Sequence, residues 1–118
     1  MSLLLALAAV AAVPVRVGVH GPEVDGCPSW GQVKRLKGYL SVRAAPSVRA
    51  RESGRLRTGA VVHLCDESRD GQWLGIVWDA STDPDDCAAG SPVPRTKPYD
   101  GGCASGWVSA RYVEVVAG

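Results

Sequence analysis

Beyond residue 38, apolar and polar side chains alternate with a period of two, the signature of half-buried strands. Tyr39-Leu40-Ser41-Val42-Arg43 puts Leu40 and Val42 on one face, and Ala44-Ala45-Pro46-Ser47 then breaks the pattern. Arg55-Leu56-Arg57 is a short strand ended by Thr58-Gly59. Ala60 to Cys65 predicts a strand with Val62 and Leu64 on one face and Val61, His63 and Cys65 on the other. Asp66 to Gly71 is a polar turn, and Gln72 to Trp78 is the next strand. Gly75, inside that strand, marks a bulge or a close backbone approach. Gly106 to Ser109 is a further strand, with Trp107 and Val108 on opposite faces. Ala110-Arg111-Tyr112 forms a tight turn, and Val113 to Val116 closes the sheet. Short strands at this spacing predict an all-β barrel or sandwich.

Two regions depart from the alternation. Leu3 to Val13 is continuously apolar. It is shorter than the roughly 20 residues of a spanning helix and fits the apolar core of a signal peptide cleaved after Ala11 or Ala12. Residues 1–12 are therefore expected to be a leader, 13–31 a flexible tether and 32–118 the folded domain. Between Asp79 and Ser105 the strand pattern vanishes into a long insertion, spanning 79–105, with Asp, Pro and Gly throughout.

The four cysteines fit an exported protein, because an even set in a small chain is the pattern of disulfides outside the cytosol. Three pairings are possible. Trp78 and Gly106 should meet across a hairpin, which brings Cys87 and Cys103 to the base of the insertion and leaves Cys27 for Cys65. Zinc is disfavoured, since no two cysteines lie two to four residues apart. The chain contains no Phe, so its large apolar side chains are four Trp, three Tyr and aliphatics, a small core that staples would help. A net charge of +1 gives no reason to expect a nucleic-acid partner.

Four motifs occur in a familiar order. Leu40-Ser41-Val42-Arg43-Ala44-Ala45-Pro46-Ser47 resembles the L-N-V-R-x-x-P-S opening of bacterial SH3-like (SH3b) domains. Leu56-Arg57-Thr58-Gly59-Ala60-Val61-Val62 is similar to their L-x-x-G-x-x-V hairpin. Asp70-Gly71-Gln72-Trp73-Leu74-Gly75-Ile76 is close to their G-x-W-x-x-V strand. Gly106-Trp107-Val108-Ser109-Ala110-Arg111-Tyr112-Val113 is similar to their closing G-W-V-x-x-x-Y-L. The resemblance covers about two thirds of the chain. It implies a half-open barrel of about five strands that binds a cell-wall peptide, a glycan or another envelope protein. The cysteine-bridged insertion departs from that pattern, and so does the lack of an attached catalytic domain.

Catalysis is not expected. His20 and His63 are the only histidines, the cysteines are assigned to bridges, and neither a G-x-S-x-G motif nor a phosphate-cradling Gly loop is present. Asp79, Asp83, Asp85 and Asp86 lack EF-hand spacing and have Pro84 among them, so they read as a solvated loop rather than a calcium site. No metal or cofactor is therefore expected. The basic stretch Lys34, Arg35, Lys37, Arg43, Arg49, Arg51, Arg55 and Arg57 suits either solubility or an anionic ligand. Trp73, Tyr99 and Arg51, extended by Arg49 and Trp78, are the expected ligand-binding residues, lining a groove beside the insertion. The expected location is periplasmic or secreted, with no membrane span once the leader is removed. In an alternative reading the insertion itself contacts a protein partner.

Overall fold

The computed structural model describes residues 9–79 and 87–118. The first part of the leader and Asp83, Asp85 and Asp86 lie outside the described residues. The described chain is all-β. Its strands are β1 (Arg16–Val17), β2 (Ser29–Val33), β3 (Leu40–Arg43), β4 (Glu52–Leu56), β5 (Val61–Glu67), β6 (Trp73–Trp78), β7 (Lys97–Pro98), β8 (Ala104–Ser109) and β9 (Val113–Ala117). One turn of 3-10 helix, Ala110–Tyr112, separates β8 from β9. Seven strands form one sheet in the order β4-β3-β8-β6-β5-β2-β9, and β1 pairs with β7 in a second, two-stranded sheet. Among the described residues β4 and β9 do not pair with each other, so the larger sheet stays open.

Alternation divides the buried apolar strand residues between two cores. Leu40, Val42, Leu56, Val62, Leu64, Ile76, Trp78, Val108 and Val113 pack together on one face, with Val33. Strands from both ends of the order contribute, Leu56 from β4 and Val113 from β9, so the sheet curls around this core. The opposite face carries Cys65, Val77 and Trp107, which pack against Val15, Val17, Cys27, Cys87 and Ala89. A covering layer thus closes part of the second face. It consists of the N-terminal arm and the insertion.

The arm is not a tether. Val15 and Val17 are buried and Arg16 between them is exposed, the alternation of a strand with one face on a core. Its backbone is bound on both sides. The Val13 N–H donates to the Ala44 carbonyl at 2.9 Å, and the Tyr99 N–H donates to the Val15 carbonyl at 2.8 Å. Arg16 pairs with Pro98 and Val17 with Lys97, while Asp25 bridges Pro92. β2 begins two residues after Cys27 and fills the sheet between β5 and β9. Gly31 makes that fit possible, because a Cβ there would lie 2.7 Å from Val113 Cγ1 and 2.9 Å from Leu64 Cδ2.

A bulge prepares β5 to receive this layer. Leu64 pairs with Ile76 and Asp66 with Gly75, leaving Cys65 as the extra residue. Cys65 and Asp66 therefore both reach the arm. Cys65 is bridged to Cys27, and Asp66 accepts from the Arg16 backbone N–H at 3.0 Å and from its guanidinium at 3.1 Å. Gly75 lies opposite, where a Cβ would be 2.7 Å from Asp66 Cβ and 3.0 Å from Val15 Cγ1. The second disulfide joins Cys87 to Cys103, so both bridges follow the expected pairing. The strand count exceeds the expected five or so because the arm supplies β1 and β2 and the insertion supplies β7.

Candidate functional site

The covering layer stops short of one end of the second face. Gly75 pairs with Trp107 and Trp73 with Ser109, and Arg43 of β3 also pairs with Trp107. Directly paired residues point to the same side, so Trp73, Ser109, Arg43 and, by alternation, Ser41 share the pleat face of Trp107. The arm covers Trp107, whose Nε1–H donates to the Val13 carbonyl at 2.8 Å. Beyond Trp107 the face is open, and it forms the floor of a groove of about 420 Å³.

Three aromatic side chains from three places in the sequence line this groove: Tyr39 before β3, Trp73 at the start of β6 and Tyr112 from the 3-10 turn. Leu36, Leu40 and Val48 add aliphatic surface, and Lys37 and Arg43 add positive charge. The groove continues past Val48, Trp73, Ser109 and Tyr112 into a larger depression of about 960 Å³ that adds Pro46, Gln72 and Arg111. Its walls expose apolar side chains. Val48 is 74% exposed, Tyr39 44% and Tyr112 39%.

Hydrogen bonds fix the walls. Ser41 Oγ donates to Glu52 Oε2 at 2.6 Å, and Arg55 Nε donates to Glu52 Oε1 at 2.7 Å. These two bonds hold the Glu52 carboxyl below its ordinary pKa, the Ser41 hydroxyl contributing most. The Arg55 guanidinium then lies 4.1 Å from the centre of the Tyr39 ring and braces it. On the other side Ser68 Oγ and the Gln72 N–H both donate to Asp70 Oδ1, fixing the turn ahead of Trp73. The Asp70 carboxyl is likewise held below its ordinary pKa, chiefly by Ser68.

The expected ligand-binding residues do not meet in one groove. Trp73 lines the open groove. Trp78 is five residues further along the same strand, an odd separation that turns it to the opposite face, where it packs in the first core over Gly54. Tyr99 belongs to the covering layer. Its hydroxyl donates to the Cys87 carbonyl at 2.7 Å and accepts from the Cys103 N–H at 3.1 Å, stitching the ends of the bridged loop. Arg51 borders a small basin beside Val13, Pro14 and Ala44. Arg49 is exposed at the tip of the β3–β4 hairpin, its backbone N–H bonded to Ser47 Oγ. Tyr39, Tyr112 and Val48 were missed. Tyr39 and Tyr112 each lie next to a strand in sequence, and their exposure would have been the useful signal.

The described part of the insertion is occupied in covering the sheet, through Cys87, Ala89, Val93, Tyr99 and Cys103. All four cysteines are in bridges, which favours an oxidising compartment. Among the described residues no helix is long and apolar enough to cross a membrane. No protein-family model matches the chain, and no curated protein or solved structure is significantly similar to it.

Proposed function

We propose that this chain is an exported, non-enzymatic binding module of the SH3-like, half-open-barrel kind, working in the periplasm or outside the cell. Its ligand is a component of the cell envelope, with a peptidoglycan peptide favoured over a glycan. The observation that carries this reading is the open groove between Tyr39, Trp73 and Tyr112. An aromatic-walled trough on a rigid sheet suits an extended ligand whose apolar groups seat against rings. Further support comes from the order of the four sequence motifs and from a sheet that curls around one core without closing. The two disulfides suit an extracytoplasmic site of action.

The test is retention on purified cell-wall sacculi. The wild-type protein should sediment with sacculi, and Tyr39→Ala and Tyr112→Ala should release it while leaving the fold intact by circular dichroism. Retention unchanged in both variants, or no retention of wild type at low salt, would contradict the groove reading. Turnover of sacculi by protein freed of contaminants would contradict the non-enzymatic part.

A further inference from the structure

Resting on the groove as the binding site, we propose that its ligand is an extended peptide segment bearing carboxylates. The charge of the chain is strongly polarised. Residues 34–57 carry eight basic residues against one acid, Glu52, and stand at +7 in a chain of net +1. This segment runs from the loop after β2 through the β3–β4 hairpin, and it builds one wall of the groove. Lys37 and Arg43 line that wall, and Arg111 lies in the groove's continuation from the 3-10 turn. Among the described residues no Asp or Glu lines either part.

The acids nearest by are already committed. Glu52 uses one carboxylate oxygen for Ser41 and the other for Arg55. Asp70 is held by Ser68 and the Gln72 N–H. Neither neutralises Lys37 or Arg111, which have no ion pair among the described residues. Arg55 takes one face of the Tyr39 ring, so a ligand meets the other. Cations and aromatic rings lining the same groove together select the ligand class. A phosphate polymer supplies charge but nothing to seat on Tyr39, Trp73, Tyr112 and Val48. A peptide with alternating acidic and apolar side chains supplies both.

Lys37 and Arg111 together should favour an acidic peptide about fivefold over an uncharged one at low salt. The test uses the full-length oxidised protein, tryptophan fluorescence and amide NMR, and four probes. Three are short proline-containing peptides of equal length, glutamate-rich, uncharged and lysine-rich, and the fourth is linear polyphosphate. The glutamate peptide should bind tightest and shift Tyr39, Trp73 and Tyr112, and added salt should erase its advantage. Lys37→Gln with Arg111→Gln should remove most of the preference. Lys34→Gln with Arg35→Gln, an equal loss of charge outside the groove, should keep it. Equal binding of the acidic and uncharged peptides would overturn the charge inference and leave the groove reading standing. Equal loss in the two double variants would reduce the preference to net charge and overturn it as well. Polyphosphate shifting the same three residues as tightly would overturn the peptide assignment. Failure of every probe to shift them would overturn this inference, and if sacculi also failed to retain the protein, the groove reading would fall with it.

Discussion

The two halves of the second sheet face are built from the same strands and meet different fates. At the Trp107 half, the chain covers itself. The arm supplies Val15 and Val17, the Val13 carbonyl takes the indole N–H, and two disulfides hold the layer in place. At the Trp73 half the layer ends: Trp73 is half-buried with one side against the second core, and Val48, Tyr39 and Tyr112 remain exposed. The pleat does not distinguish the halves, since Gly75 and Trp73 are successive residues on one face of β6. What distinguishes them is that the covering segments end at Trp107. Apolar surface left open beside a stapled layer is the surface available to another molecule.

This contrast can be broken by mutation, because the covered half should govern stability and the open half should govern binding. Trp107→Ala should have the largest effect, about 3–5 kcal/mol, by opening a cavity and leaving the Val13 carbonyl without its donor. Urea denaturation would measure it. Replacing Cys27 and Cys65 by Ser should cost about 4 kcal/mol, from release of a loop spanning 38 residues, and replacing Cys87 and Cys103 about 3 kcal/mol, from one of 16. The same denaturation series gives that ranking, and a reversal would show that native contacts rather than loop length set the order. Arg16→Ala should cost less, about 1–2 kcal/mol. The Asp66 side chain, only 2% exposed, would lose its partner but keep the backbone N–H donors of Arg16 and Glu67.

The open half should respond in the opposite sense. Tyr112→Ala should change stability by less than about 1 kcal/mol while removing retention on sacculi. The smallest effect concerns pH. Ser41 and Arg55 lower the Glu52 pKa in the folded protein, so their bonds favour folding above the unfolded-state pKa. That contribution is lost only as pH falls through the lower, folded value. Carboxyl-detected NMR should therefore show Glu52 titrating below the usual carboxylate range, and Ser41→Ala should move it back upward. A Glu52 that titrates normally would mean that the brace behind Tyr39 is not populated in solution.

Much of the larger sheet was legible in the sequence, and the reasons are local. Period-two alternation located β3, β5, β6, β8 and β9, and it assigned Trp107 and Val108 to opposite faces. β4 was found at its C-terminal end only, because Ser53 and Gly54 carry no apolar signal; Gly54 is small to make room for Trp78. The arm was read as a flexible tether. Val13, Val15, Val17 and Val19 in fact alternate, and two of them are buried. β2 was missed because its central residue is Gly31, chosen for closeness to Val113 and Leu64 rather than for strand propensity. For the groove, parity along β6 was enough to separate Trp73 from Trp78. No local pattern reveals that Tyr39 and Tyr112, 73 positions apart in the chain, converge on Trp73.

The most direct test of the division between the halves is an amide chemical-shift map of the oxidised protein titrated with soluble peptidoglycan fragments. A groove function predicts shifts at Tyr39, Val48, Trp73 and Tyr112, with Val15, Val17 and Tyr99 unmoved. Shifts confined to the bridged insertion around Cys87, Tyr99 and Cys103, with Trp73 silent, would contradict it and make the covering layer the contact surface.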